Sequence, residues 1–156
     1  MTAIALRDAV ANEAEALSQL AMRSKAHWGY DEAFLEACRD ELTITPAMIA
    51  AREVRVAERG TVLQGLHRLS VAADDACIEL LYVDPAAIGS GVGRRLWDDL
   101  VLRAIAVRAT RLLIEAAPHA EGFYRRMGAV RTGSCPSGSI PGRMLPLLAL
   151  DLSDNA

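Results

Sequence analysis

An apolar segment that runs straight into three alternating glycines, with a helical pattern opening behind them, constrains this chain more than any other feature. The segment is Val83-Asp84-Pro85-Ala86-Ala87-Ile88-Gly89-Ser90-Gly91-Val92-Gly93-Arg94-Arg95-Leu96. It dictates a strand, a tight loop and a helix in immediate succession. Glycine lets the backbone turn sharply and leaves amide N–H groups uncovered. At a helix N-terminus, unpaired amides and the positive dipole end suit a phosphate group. The segment therefore predicts a phosphorylated ligand held on the main chain.

Composition narrows the setting. A chain of 156 residues, 52% apolar and 24% charged, suits one domain (1–156) with a sizeable core. A net charge of −3 argues against nucleic acid or an anionic membrane as the main partner. Cys38, Cys77 and Cys135 are odd in number and far apart, which excludes both a disulfide framework and a metal-ligand spacing. Arg7 and Asp8 interrupt the apolar run that a signal peptide over Met1 to Val10 would need. No stretch is long and apolar enough to span a bilayer. The expectation is a cytoplasmic protein without a metal.

Periodicity supplies the elements. Ile4 to Arg7 reads as a first strand, and Asn12 to Arg23 carries Ala14, Leu17, Leu20 and Ala21 at helical spacing. Asp31 is an N-cap for a second helix, and Thr45-Pro46 opens a short third one that reaches about Ala51. The period then changes. Val54 to Glu58 and Thr61 to Val71 read as strands around an Arg59-Gly60 break, and Cys77 to Val83 follows a turn at residues 73–75. Behind the glycines, Leu96, Leu100 and Ala104 mark a core-facing helix to about Arg108. Leu112 to Ile114 is a short strand, parallel to the one before the glycines because a helix joins them. A helix over Ala120 to Met127 stops at Gly128, and Val130 and Met144 to Leu152 supply the last strands around a loop over Gly133 to Gly142.

The glycines separate look-alike sites. A P-loop needs Lys and Ser or Thr after its last glycine, where Arg94 and Arg95 stand. A dinucleotide fingerprint needs its third glycine three residues after the second, and that register lands on Arg94 or Leu96. Under that reading Glu115 is the ribose ligand. A third pattern fits. The run after an antiparallel meander and a Val-Asp-Pro strand end resembles the acyl-CoA loop of the GCN5-related N-acetyltransferase (GNAT) family, Gln/Arg-x-x-Gly-x-Gly/Ala. It falls on Ile88, Gly91 and Gly93, with Ile88 where a polar residue is usual. The segment His119-Ala120-Glu121-Gly122-Phe123-Tyr124-Arg125-Arg126-Met127-Gly128-Ala129 is similar to the family's Asn-Ala-x-x-Phe-Tyr-x-x-x-Gly-Phe, with His119 for Asn and Ala129 for the final Phe.

The resemblance covers essentially the whole chain. It implies an α/β (mixed α+β) fold: a central, mostly antiparallel twisted sheet of six to seven strands with a splayed parallel pair, flanked by about four helices. It implies acetyl-CoA as co-substrate, bound by Leu81, Tyr82, Val83, Ile88, Gly89, Ser90, Gly91, Val92, Gly93, Arg94, Arg95, His119 and Phe123. By the same resemblance Tyr124 is the acid for the leaving thiolate, and the strand end Leu81-Tyr82-Val83 offers an N–H to the thioester carbonyl.

Other roles rest on chemistry and position. Glu79, in an apolar run, is the candidate base if its strand half-buries it and raises its pKa; otherwise it faces solvent or pairs with an arginine. His27, Trp28 and Tyr30 crowd the turn between the first two helices, where family members shape the acceptor site; the alternative is a packed turn. His67 and Trp97 read as structural. Arg143 borders the acceptor site by resemblance and would pair with a substrate carboxylate. The expected activity is acetyl transfer from acetyl-CoA directly to a primary amine on a small molecule or peptide. The resemblance also allows a homodimer through the C-terminal strands. The rival reading is a non-catalytic acyl-CoA-binding sensor or interaction module, favoured by the off-pattern Ile88 and His119.

Overall fold

A computed structural model describes residues 2–153; Met1 and residues 154–156, the ends of the expected 1–156 domain, lie outside the described residues. Seven strands are hydrogen-bonded in the order β1-β2-β3-β4-β5-β7-β6. They are β1 (Ile4–Asp8), β2 (Val54–Arg59), β3 (Val62–Ala72), β4 (Asp75–Val83), β5 (Arg111–Glu115), β6 (Val130–Pro136) and β7 (Met144–Asp151). Five α-helices accompany them among the described residues: α1 (Ala14–Ala26), α2 (Glu32–Cys38), α3 (Pro46–Ala50), α4 (Val92–Ala106) and α5 (Glu121–Arg126). The expected mixed α/β architecture is present. β4 and β5 run parallel, and β1–β2, β2–β3, β5–β7 and β6–β7 pair antiparallel.

The chain forms two compact units. Among the described residues, the first comprises those up to Arg68 and 80–100, the second 69–79 and those from Val101 onward. In the first unit the local signals act as expected. The Asp31 carboxylate accepts from the Phe34 amide at 2.8 Å, and the Thr45 hydroxyl from the Met48 amide at 3.2 Å, so α2 and α3 start where their caps stand. α1 begins two residues later than its periodicity predicts. Ala11–Glu13 is a 3-10 turn, held because Glu13 accepts from the Val10 amide at 2.9 Å. Arg7 donates to the same carboxylate, which holds Glu13 below its ordinary pKa and Arg7 above its own. Leu17, Leu20 and Ala21 of α1 are fully buried. A Leu withdrawn from water in this way stabilises by roughly 1.5–3 kcal/mol.

In the second unit, β5 alternates: Leu112 and Ile114 are buried, Arg111 and Glu115 exposed. Arg111 grips Asp75 through two bonds of 3.1 and 3.0 Å, and so ties β5 to the start of β4. The parallel ladder runs from Asp75↔Arg111 to Ile78↔Ile114 and ends before β4 does.

One expectation is corrected here. Gly133 to Pro136 belong to β6 and pair with Leu147 to Met144 of β7, after a register shift at residues 131–133. These turn-forming residues read as loop, yet β6 is the last strand in the order. An edge strand has no second partner to serve, so it tolerates a proline without its N–H. The remaining loop is 137–143.

Candidate active site

The glycine loop is pinned before it turns. At the end of β4 the Asp84 amide donates to the Gln64 carbonyl at 2.8 Å, and the Asp84 carboxylate accepts from the Ala86 amide at 3.0 Å. Arg23, on α1, donates to the same carboxylate at 2.7 Å. Burial acts to raise the Asp84 carboxyl, but Arg23 and the Ala86 amide outweigh it and hold the group below its ordinary pKa. Pro85–Ala87 then forms a 3-10 turn, and the Ser90 amide and hydroxyl both donate to the Ala87 carbonyl.

Gly89 and Gly91 take φ values of 82° and 91°, and a Cβ at either would meet nothing within 4 Å. Glycine is therefore required by backbone conformation and not by crowding, and both glycines border open space. α4 starts at Val92, and the Arg95 amide bonds the Gly91 carbonyl at 3.1 Å. The amides of Val92, Gly93 and Arg94 precede that bond, so they have no acceptor within their own helix. This is the donor set that a phosphate group fits.

What seats α4 is less visible in sequence. Val92 and Leu96 are fully buried in a cluster with Ala57 and Ala87, flanked by Leu81 and Val83. A Cβ on Gly65 of β3 would stand 2.7 Å from the Tyr82 carbonyl oxygen and 2.8 Å from Leu96 Cδ1. Only glycine allows that approach of strand and helix. Ile88 is exposed, and its side chain supplies no polar group to the loop. Arg94 and Arg95 are exposed, and Arg94 contacts Asp98 at 3.3 Å, a surface pair of small energetic weight.

The turn after α1 divides into two parts. Tyr30 stacks on Phe34 with centroids 4.0 Å apart, and the Lys25 ammonium lies 5.4 Å from the Tyr30 ring. His27 and Trp28 are exposed, edge to face at 5.0 Å. Tyr30 is thus engaged in packing α2, while His27 and Trp28 face solvent. A separate cleft of about 510 Å³, lined by residues such as Ser18, Met22 and Arg39, contains none of the expected site residues.

The other expected residues lie in the second unit. Tyr124, on α5, is buried, with Phe123 edge-on at 5.4 Å. Burial raises its phenol pKa, so the hydroxyl keeps its proton through the neutral range. His119 is exposed in the 3-10 turn Pro118–Ala120. Arg143 is half-buried at the end of the 137–143 loop; its carbonyl accepts from the Ser137 amide at 2.8 Å, and the Ser137 hydroxyl accepts from the Ser139 and Ile140 amides. Arg125 is engaged with Glu121 at 2.8 Å.

Glu79 is exposed, not half-buried, and accepts from the Ser70 hydroxyl at 2.6 Å. The side chains buried on β4 are Ala76 and Leu80, so the burial expected around Glu79 is absent. Glu115, read in sequence as a ribose ligand, lies beside Cys135; burial first, then the Glu115 charge, push that thiol up. Sequence reading missed Arg23 and Gly65, because neither carries a local signal for a partner so far along the chain. Among the described residues no group of His, Cys, Asp and Glu is placed to hold a metal ion, and no helix is long and apolar enough to cross a membrane.

Comparisons with known proteins agree with this geometry. The Acetyltransferase (GNAT) domain family matches residues 10–136. The PaiA N-acetyltransferase of Thermoplasma acidophilum, solved in complex with coenzyme A, superposes with a TM-score of 0.79 at 16% identity, over 96% of this chain and 99% of that one. A GCN5-related N-acetyltransferase of Rhodopseudomonas palustris gives 0.78 at 26% identity, over 97% and 98%. YncA of Salmonella typhimurium, solved with acetyl-CoA, gives 0.72 at 20% identity, over 97% and 95%. No curated protein matches the chain. With the family match spanning 127 residues, the chain belongs to the GNAT acetyltransferase family.

Proposed function

We propose that this protein is an N-acetyltransferase that uses acetyl-CoA and transfers the acetyl group directly to a primary amine. The observation that carries the reading is the loop: Gly89 and Gly91 in left-handed backbone, bordering open space, at the start of α4. The amides of Val92, Gly93 and Arg94 would hold the pyrophosphate, with the Arg94 and Arg95 side chains adding positive charge nearby. Coenzyme A or acetyl-CoA is bound to two of the similar structures, which supports the same donor here. The family match runs through both compact units, which supports one catalytic domain.

Acetyl-CoA supplies a thioester whose carbonyl is open to attack. The β4 end, Leu81-Tyr82-Val83, is proposed to offer a backbone N–H where negative charge develops on the carbonyl oxygen. Tyr124 is proposed as the proton donor to the departing sulfur; its burial keeps it protonated at neutral pH. Glu79 is proposed as the base that takes the proton from the attacking amine. Its exposed carboxylate, hydrogen-bonded to Ser70, can pass that proton to water. Phe123 and His119 would flank the donor. His27, Trp28, Tyr30 and Arg143 are proposed to contact the acceptor, a small-molecule or peptide amine. Exposed Val130 and Met144 in β6 and β7 support a homodimer through the C-terminal strands. A cytoplasmic location remains part of the same reading.

Calorimetry with acetyl-CoA, followed by thiol release over a panel of amines, tests the proposal. Micromolar binding with release on at least one amine is expected. Binding with no release on any amine would favour the non-catalytic acyl-CoA sensor, and no binding would overturn both.

A further inference from the structure

We propose that Asp99 is a positioning residue for the cofactor loop: gripped by Arg55 and His67, it fixes where α4 begins and hence where the pyrophosphate-binding amides stand. The proposal rests on the acyl-CoA reading and goes beyond it, because Asp99 is two turns from the loop. Arg55 of β2 and His67 of β3 are cross-strand partners. Both reach the same helix residue. Arg55 donates through Nη2 to Asp99 Oδ1 at 2.9 Å and through Nε to Oδ2 at 3.1 Å, and His67 Nε2 lies 2.8 Å from Oδ2. His67 is fully buried, and the Arg55 and Asp99 side chains are only 18% and 15% exposed. Arg55 also reaches Asp8 at 3.4 Å.

The electrostatics are self-consistent. Burial acts to raise the Asp99 carboxyl, but His67 and Arg55 hold it well below the usual carboxylate range. An ionised carboxylate accepts only, so His67 Nε2 is the donor in that bond. A charge-assisted, bidentate arginine contact is among the stronger and more directional side-chain bonds. Surface helix pairs such as Arg94–Asp98 do not constrain a helix in this way.

The geometry explains why a helix needs this grip. Val92 and Leu96 rest over Gly65 without a side chain between them, an apolar seat that resists separation better than sliding. Asp99 adds a polar attachment about one turn beyond Leu96. A helix held at two levels can neither slip nor turn, whereas a one-residue slip moves its first amides by about 1.5 Å and turns them by about 100°. Hydrogen bonds to a phosphate tolerate a few tenths of an ångström. The proposed catalytic steps use neither Asp99 nor His67, so the expected effect falls on donor binding and leaves the chemical step largely intact.

The test measures acetyl-CoA affinity by calorimetry, thermal stability, and the acetyl-CoA KM and kcat with an acceptor found in the amine panel. Asp99→Asn is expected to weaken acetyl-CoA about tenfold and raise its KM to match, with kcat changed by less than about threefold. Leu42→Ala, a core deletion outside α4, is expected to lower stability with acetyl-CoA affinity within about twofold of wild type. If Asp99→Asn does not fold, His67→Gln keeps the Arg55 grip and is expected to weaken acetyl-CoA about threefold. Affinity within twofold of wild type in the folded variant overturns the positioning role. Wild-type protein that fails to bind acetyl-CoA overturns the donor reading itself, and this proposal with it.

Discussion

Arg23 and Asp84, separated by 61 positions in sequence, meet at 2.7 Å where β4 gives way to the glycine loop. The contact joins α1 to the loop's first residue, and the same carboxylate caps the turn that follows. Arg23→Ala removes one of these bonds. With the Arg23 side chain half exposed, we expect a stability loss of about 1 kcal/mol or less by urea denaturation. Acetyl-CoA affinity is expected to fall by about three- to tenfold in calorimetry, since the loop loses its tether.

Gly65 tests the seat of α4. A methyl group there would press on the Tyr82 carbonyl, which is backbone and cannot rotate aside. Gly65→Ala is expected to destabilise by roughly 1–3 kcal/mol. Gly138→Ala, with nothing within 4 Å of the added carbon, should stay within about 0.5 kcal/mol. Thermal melts of the two variants side by side check the contrast.

Tyr124→Phe is expected to slow turnover by roughly ten- to a thousandfold with acetyl-CoA affinity nearly unchanged. Because burial raises the Tyr124 pKa, its proton is lost only above the ordinary tyrosine range. Turnover in wild type should therefore show no loss from this group up to about pH 10. A pH–rate profile with a tyrosine-like limb below that value would remove Tyr124 from the proposed role.

Glu79→Gln keeps the shape and the Ser70 contact but cannot take a proton. A fall in kcat of roughly tenfold or more is expected in steady-state kinetics. Unchanged turnover would place the base elsewhere.

The Asp99 carboxyl also sets a stability dependence on pH. Its folded pKa is depressed, so its contribution is complete above the unfolded value of about 3.9 and is lost as pH falls towards the folded one. Wild type should lose more stability than Asp99→Asn between about pH 5 and pH 2. Urea midpoints at the two pH values measure the difference.

How much of this was readable beforehand depended on whether the controlling interaction was local. Asp31, Thr45 and the three glycines act on their own neighbours, and their elements start where the residues stand. Whether Glu79 is half-buried or faces solvent stayed open in the sequence, because the run from Cys77 to Leu81 gives no alternation from which to tell the faces apart. β6 was hidden by Gly133, Ser134 and Pro136, whose turn chemistry outweighs their pairing in any local reading. His67 reads as structural and is fully buried, but its bond to Asp99 joins a strand to a helix and has no sequence signature. The chemistry of the donor loop lay in the backbone dihedrals that glycine permits, whereas the acceptor residues depend on which side chains face outward.

The proposed cradle of main-chain amides would also have an unusual vulnerability profile. Reagents that modify lysine or cysteine find nothing between Asp84 and Leu96 to attack, and exposed Ile88 can vary in size and polarity at little cost. The few changes that would damage it are those that alter the path of the chain, at Gly89, at Gly91, or at the distant supports Arg23, Gly65 and Asp99. Loss-of-function substitutions should accordingly cluster in two kinds of place, the turning points of the loop and the struts behind it, with a tolerant stretch of side chains between.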